Sequence, residues 1–299
     1  MTSASAAETT RHTDIAAVLV NYNAGSDLTQ ALQSIATDLA GRTWEVVVVD
    51  NASSDGSERR VDEFAPYARL VRNATNAGFG RAVNQGVAAC TAPFVLIMNP
   101  DCRLMRGAVR TLQTQLEAHD ACAIVGPRVL DPDGVVQGSA RGDPDMLTGV
   151  FGRTGRLRAW FPRIAAARRN VVTDAAAGNG SSSIEVDWVS GACMLVRRSA
   201  LESVGGFDER YFLYWEDADL CRRLRARGYH VRYVPGATAV HRVGRSSRSA
   251  PAASIRAFHE SAYRYYATHV APGVLNPKRL LARVLLSARC WWKLRHAKL

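Results

Sequence analysis

Phe94-Val95-Leu96-Ile97-Met98-Asn99-Pro100-Asp101 is the stretch on which the reading of this chain turns. Its apolar run has the pattern of a strand buried on both faces, as a parallel sheet covered by helices requires. The Asn-Pro-Asp that follows ends the strand in a turn. The carboxylate of Asp101 is thereby delivered to the carboxyl edge of the sheet, where open α/β folds collect their ligands, and a hard oxygen there suits a divalent cation. Other polar groups are due at the same edge: Asp50 ends an earlier apolar run, Glu216 and Asp217 open a later helix, and His241 follows another strand-like segment.

Outward from this stretch, strand-like and helix-like segments alternate at the spacing of βαβ units. Residues 15–20, 44–49, 69–72, 94–98 and 122–125 read as buried strands. Residues 27–39, 54–64, 79–89 and 107–118 read as helices, the second capped by Ser53 or Ser54. The expected fold is therefore α/β, a mostly parallel central sheet flanked by helices, with residues 15–130 as a nucleotide-binding half. Leu130-Asp131-Pro132-Asp133-Gly134 reads as a hairpin turn. Beyond it the pattern dissolves into an Arg, Gly and Ala-rich stretch, expected to be mobile over 141–183. Order returns with strands at 186–189 and 192–196, helices at 199–204 and 216–227 and a strand at 231–234, which make 131–250 the expected acceptor-binding and catalytic half.

Asn76-Ala77-Gly78-Phe79-Gly80-Arg81-Ala82-Val83-Asn84-Gln85-Gly86 invites comparison with a dinucleotide fingerprint, but Val83 stands where the third glycine belongs and the segment comes late in the series. A P-loop pattern is absent as well. What remains is a loosened loop feeding a helix N-terminus. There backbone N–H groups around Gly78 and Phe79, together with Arg81 and Asn84, can approach a nucleotide, or simply make a turn.

The 299 residues, 47% of them apolar, suffice for a sizeable core. Residues 1–14 read as a disordered leader, and no stretch reaches the roughly 20 apolar residues that span a bilayer. The six cysteines form no C-x-x-C pair, so they read as reduced core residues and the protein as cytoplasmic. The net charge of +11 is concentrated, because residues 278–299 carry seven Lys/Arg and no acid. Within the C-terminal helical region 251–299, helical periodicity puts Leu280, Leu281, Val284, Leu285, Ala288, Trp291 and Trp292 on one face. Lys278, Arg279, Arg283, Arg289 and Lys293 fall on the other, while Leu286 and Arg295 break the pattern. Such a helix suits peripheral attachment to an anionic membrane surface, or it packs on the protein's own core. No nucleic-acid recognition motif accompanies the charge, so nucleic acid is not an expected partner.

The motifs taken together resemble a family 2 inverting glycosyltransferase of GT-A architecture, and within it the bacterial rhamnosyltransferases. They are Val20-Asn21-Tyr22-Asn23, Val49 through Gly56, Asn76 through Gly86, Asn99-Pro100-Asp101, Gly191 through Val196, Gly205 through Phe212, Trp215 through Leu220, and His241. The resemblance implies that Asp50 contacts the donor's base or ribose, with Asn21, Asn23 and Asn51 beside it. Asp101 would be the metal-binding aspartate, Asn99 replacing the first acid of the D-x-D form. His241 would complete the Mg²⁺ or Mn²⁺ site or meet the diphosphate, and Arg245 would neutralise phosphate charge. Asp217 would be the base that deprotonates the acceptor, with Glu216 orienting it or the acceptor. Both also lie where a helix dipole alone favours acids.

Further implied are an acceptor site drawing on Gly191, Arg141 within Ser139-Ala140-Arg141, and the aromatic faces of Trp188, Tyr214 and Trp215, which can equally be core. The implied donor is a nucleotide sugar, dTDP-L-rhamnose, and the acceptor a glycan or polyprenyl-diphosphate-linked sugar of the cell envelope, met on the inner face of the cell membrane. A UDP-hexose-dependent transferase of the same fold and a catalytically idle membrane-associated scaffold are the alternative readings.

Overall fold

The computed structural model describes residues 13–143, 183–242 and 251–297. Arg245 and most of the expected leader and mobile segment lie outside the described residues.

The chain runs β1 (Ile15–Asn21), α1 (Ser26–Asp38), β2 (Trp44–Asp50), a 3₁₀ turn (Ser57–Phe64), β3 (Ala68–Arg72), α2 (Phe79–Ala88), β4 (Phe94–Met98), β5 (Cys102–Leu104), α3 (Ala108–Glu117) and β6 (Cys122–Leu130). It continues through β7 (Ala140–Arg141), β8 (Ile184–Glu185), β9 (Trp188–Val189), β10 (Cys193–Arg197), α4 (Arg198–Ser203), α5 (Glu216–Ala226) and β11 (His230–His241). It then forms α6 (Pro251–Tyr265), a π-helical turn (Tyr266–Val270) and α7 (Pro277–His296). The expected helix at 54–64 is this 3₁₀ turn, entered through Asp55, whose Oδ1 accepts from Ser57 N at 3.0 Å, rather than through Ser53 or Ser54. The strand expected at 186–189 contracts to β9.

Nine strands form one sheet in the order β3-β2-β1-β4-β10-β6-β11-β5, with β8 on β11. The pleat sends alternate residues to opposite faces. Ala16, Val18 and Val20 share one core with Val83 and Val87 of α2 and Leu220 of α5, while Ile15, Ala17 and Leu19 share the other with Leu28, Leu32 and Ile35 of α1 and Leu112 of α3. This two-sided burial is why the strands read as unbroken apolar runs.

Two pairings position the site. β10 runs antiparallel between β4 and β6, with Cys193 opposite Met98, so the residues just before β10 sit beside those just after β4. β5 pairs antiparallel with β11, with Cys102 opposite His241, so the residue before Cys102 meets the end of a strand remote in sequence.

The C-terminal hairpin of α6 and α7 corrects one expectation. α7 starts on Asn276, whose side chain accepts from Lys278 N at 3.0 Å, with Pro277 in the first turn. Its buried residues are Ala282 and Leu286, the latter read from the sequence as a break in the pattern. Arg279 donates to the Tyr263 hydroxyl at 3.1 Å, and Arg283 and Arg289 lie over the rings of Tyr263 and Phe258 on α6. The seam therefore runs along the Arg-bearing side, because guanidinium stems and planes pack on aromatic faces. The larger apolar face points away. No helix of the described residues is long and apolar enough to cross a membrane.

Candidate active site

The carboxyl ends of β1, β2 and β4 bring Asn21, Asp50 and Asn99 to one edge of the sheet. Asn21 is fully buried and its amide donates to Asp50 Oδ1 at 2.7 Å, Ser57 Oγ at 2.9 Å and Ser53 Oγ at 3.1 Å. It positions Asp50 rather than facing the cleft. Asp50 Oδ2 also accepts from Ser53 N at 3.0 Å. Asn23, at φ 53°, accepts from Ser54 N at 2.8 Å and locks the loop after β2 against the loop after β1.

Asn51 donates to Gly78 O at 3.1 Å and to Asn76 Oδ1 at 3.2 Å, and accepts from Asn73 Nδ2 at 2.8 Å. Gly78 is required at the entrance to α2: at φ 85° and ψ 170° its backbone is in a region open essentially to glycine alone, and an added Cβ would lie 2.6 Å from Phe212 O. Phe79 N donates to the same Phe212 carbonyl at 2.9 Å. Asn73, Asn76 and Ser53 were missed in the sequence; the density of Asn between 73 and 84 was the available signal.

Asn84 and Arg81 point to the other half of the chain. The Asn84 amide donates to Phe207 O at 2.9 Å and accepts from Phe207 N at 2.9 Å, and Arg81 lies 3.7 Å from Glu209. As the Asn84 amide is already spent on this strut, the structure gives it a bracing task in place of ligand contact.

Asp101 and His241 meet as the pairing of β5 with β11 dictates. His241 Nε2 lies 3.2 Å from Asp101 Oδ1, the two side chains being 12% and 10% exposed. Behind the imidazole, Gln137 Nε2 donates to Asp131 Oδ1 and to His241 O, both at 2.8 Å. Only the amide nitrogen can make those two bonds, so Gln137 Oε1 faces His241 Nδ1 at 3.1 Å and assigns the ring proton to Nδ1. In the neutral ring Nε2 then has its lone pair toward the Asp101 carboxylate, and in the protonated ring it donates to it, with the Asn99 amide nitrogen 3.4 Å away. With the ring neutral, the two lone-pair groups turned toward one point fit a divalent cation completed by substrate oxygens and water, the carboxylate suiting Mg²⁺ or Mn²⁺ and the imidazole nitrogen suiting Mn²⁺ better than Mg²⁺. Among the described residues no third His, Cys, Asp or Glu joins them. Gln137 was invisible in the sequence because the hairpin at Gly134 brings it there.

Asp217 is tied to this cluster through two residues. Its Oδ2 accepts from Gly191 N at 3.0 Å, and the next carbonyl, of Ala192, accepts from Asn99 N at 2.9 Å. Asp217 Oδ1 accepts from Ala218 N at 2.8 Å. Glu216 is buried beside it in the first turn of α5, where the helix dipole favours acids.

Ahead of α5, Tyr214 and Trp215 both hold positive φ, 69° and 70°. For bulky residues this conformation costs about 1–3 kcal/mol each and persists only when the surroundings enforce it. α6 supplies the enforcement: Ser261 Oγ donates to Leu213 O at 3.0 Å, and the Trp215 ring packs on Phe258 and Tyr265. Trp215 is therefore core. So is Trp188, which is buried, donates to Gly142 O at 3.0 Å and lies under Arg141. Buried in this way, neither ring serves as an open sugar platform. Arg141 itself donates to Gly138 O at 2.6 Å.

With this geometry in place, comparison with known proteins is informative. The sequence model described as Glycosyl transferase family 2 matches residues 16–205, and that of Glycosyl transferase family group 2 matches residues 140–298. The N-acetylglucosaminyl-diphospho-decaprenol L-rhamnosyltransferase of Mycobacterium tuberculosis is 34% identical over 285 residues, 91% of this chain and 90% of its own. Rhamnosyltransferase WbbL of Escherichia coli is 44% identical over 82 residues, 27% of this chain and 31% of its own. Among solved structures, the mannosyltransferase PcManGT of Pyrobaculum calidifontis, in complex with GDP-Man and Mn²⁺, superposes with a TM-score of 0.58 at 20% identity, covering 96% of this chain and 73% of its own. TarS of S. aureus with UDP-GlcNAc gives 0.54 at 16% identity, covering 95% and 74%. The fold is that of the GT-A glycosyltransferases.

Proposed function

Since the chain belongs to glycosyltransferase family 2, we propose that it is an inverting rhamnosyltransferase. It transfers L-rhamnose from dTDP-L-rhamnose to a hydroxyl of a polyprenyl-diphosphate-linked sugar, on the inner face of the cell membrane. The observation that carries this reading is the Gly191-Ala192 bridge, which holds Asp217 within two residues of the strand end bearing Asn99 and Asp101.

Asp217 takes the proton from the acceptor hydroxyl as its oxygen attacks the anomeric carbon opposite the diphosphate, so one displacement inverts the centre. The two N–H groups on its oxygens set the carboxylate's direction, and a carboxylate keeps further lone pairs to receive the proton. Glu216, next in the same turn, orients the acceptor. Asp50, held by Asn21 and Ser53, meets the donor's base or ribose, with Asn23, Asn51, Gly78 and Phe79 shaping that pocket. Asp101 and His241 would hold Mg²⁺ or Mn²⁺, which when bound supplies Lewis-acid stabilisation of the departing diphosphate. Arg245, four residues beyond His241, would add positive charge there. The acceptor follows the name of the mycobacterial relative and is a diphospho-polyprenol bearing N-acetylglucosamine.

The test is transfer by the purified protein from a panel of dTDP-rhamnose, UDP-hexoses and GDP-mannose to a synthetic N-acetylglucosaminyl diphospho-lipid, with and without Mn²⁺, reading the anomeric configuration by NMR. Metal-dependent, dTDP-rhamnose-selective transfer with inversion is expected. Selective use of a UDP-hexose would replace the donor. No transfer from any donor, together with full biological complementation by Asp217→Asn, would establish the scaffold instead.

A further inference from the structure

α7 is held to the protein by a narrow seam. On the opposite side Leu280, Leu281, Val284, Trp291 and Trp292 are exposed, the two tryptophans by 55% and 51%. The turn before the helix adds Val274 and Leu275, exposed by 86% and 97%. These two residues belong to no helical pattern and were not part of the sequence reading. Among the described residues only side chains of α7 itself, Lys293, Arg295 and His296, lie over its two tryptophans. A contiguous apolar face of this kind is rarely left bare on a soluble protein without a use.

The chemistry of the rim selects the occupant. Lys278, Lys293 and Arg295 are exposed along the same helix, which carries no acid. Arg295 lies 3.9 Å from the Trp291 ring centroid and Lys293 lies 5.8 Å from that of Trp292. Long cationic side chains folded over interfacial tryptophans keep their heads at headgroup level while the rings enter the acyl boundary. A second copy of this chain would meet the same uncompensated charge. We infer that the exposed face of α7, with Val274 and Leu275 as its leading edge, docks the enzyme on an anionic lipid bilayer, lying in the interface rather than crossing it.

The placement ties docking to the site. α6, the other arm of the hairpin, holds the Leu213–Trp215 turn that leads into α5, in whose first turn Asp217 lies. A docked hairpin therefore lays the lipid surface next to the element that aims the base. The inference rests on the proposed function only where it says why docking is useful, namely that the acceptor is anchored in that lipid.

The experiment uses the full chain, with sedimentation on vesicles of phosphatidylglycerol mixed with phosphatidylcholine and on pure phosphatidylcholine. Binding to the anionic vesicles should be about tenfold tighter or more, and should weaken as salt is raised. Trp291→Glu with Trp292→Glu should abolish it, as should Leu275→Glu with Val274→Glu, both without loss of thermal stability. The double Trp variant should keep turnover of a water-soluble short-chain acceptor and lose turnover of a vesicle-embedded one. Equal binding to neutral vesicles, or a wild type that remains in the supernatant with all vesicles, overturns the inference. So does a concentration-dependent dimer that Trp291→Glu dissolves. Vesicle binding without transfer from any donor would sink the proposed function and leave this inference standing.

Discussion

His269 Nε2 lies 2.7 Å from Asp219 Oδ1, and Arg223 Nε lies 2.7 Å from Asp219 Oδ2, so one carboxylate joins the π-helical turn to α5 two residues beyond Asp217. Arg223 extends the connection by donating to Val204 O at 2.8 Å and Gly206 O at 2.9 Å. From there Phe207 and Asn84 carry it to α2. Asp219 is thus the joint at which α5, α2 and the C-terminal hairpin are registered. His269→Ala should leave Asp219, whose side chain is 1% exposed, short of one partner, at a cost of about 1–3 kcal/mol. Turnover should fall while dTDP affinity by calorimetry is unchanged, and His269→Gln, which can still donate, should recover much of the loss. Equal loss of turnover and nucleotide affinity in both variants would show a merely structural role.

Asp217→Asn keeps the size of the group but removes its basicity, and its single amide oxygen can accept from only one of Gly191 N and Ala218 N. Turnover should drop about 10²–10⁴-fold with nucleotide affinity and melting temperature near wild type. Glu216→Gln should cost less. Steady-state kinetics beside a nucleotide titration separate these outcomes.

Gln137 never contacts the bound sugar in this scheme, yet it orients His241 from behind. Gln137→Leu frees the imidazole to turn, and the metal concentration for half-maximal activity should rise about 10–100-fold. Chelation followed by Mn²⁺ titration measures this. An unchanged titration would remove His241 from the metal site.

Gly78→Ala demands a side chain where the backbone excludes one and where Phe212 O already stands. The strain should lower stability by about 1–3 kcal/mol and displace the start of α2, weakening nucleotide binding in the same variant. Thermal melts with and without nucleotide read both effects.

Five of the six thiols are buried, Cys290 being the exception. Burial pushes the Cys193 and Cys221 thiols up to about 12 and Cys122 up to about 11. Since the thiolate is the reactive form, iodoacetamide at neutral pH should label Cys290 alone in the native protein and all six cysteines in denaturant. Mass spectrometry of the alkylated peptides checks this. Labelling of Cys102 in the native state would mean that the sheet opens beside Asp101.

What could be read in the chain before folding is whatever local pattern encodes. Unbroken apolar runs marked the two-sided burial of β1, β2 and β4, turn chemistry marked the Asn-Pro-Asp stop and the Gly134 hairpin, and acids marked the start of α5. Those signals extend over a few residues, and they sufficed for the α/β class, for Asp50 and Asp101 at the ends of strands and for Asp217 at the start of a helix. The antiparallel insertion of β10 beside β4 and the pairing of β5 with β11 join segments far apart in sequence, and no local pattern announces them. Those pairings alone decided that Gly191 and Ala192 connect Asp217 to Asn99, that Gln137 backs His241, and that Trp188 and Trp215 are buried. The same holds for α7. Periodicity established that the helix has two faces, but only its packing on the aromatic rings of α6 determined that the arginine side turns inward, because a guanidinium over a ring can bury its stem while its charge stays solvated.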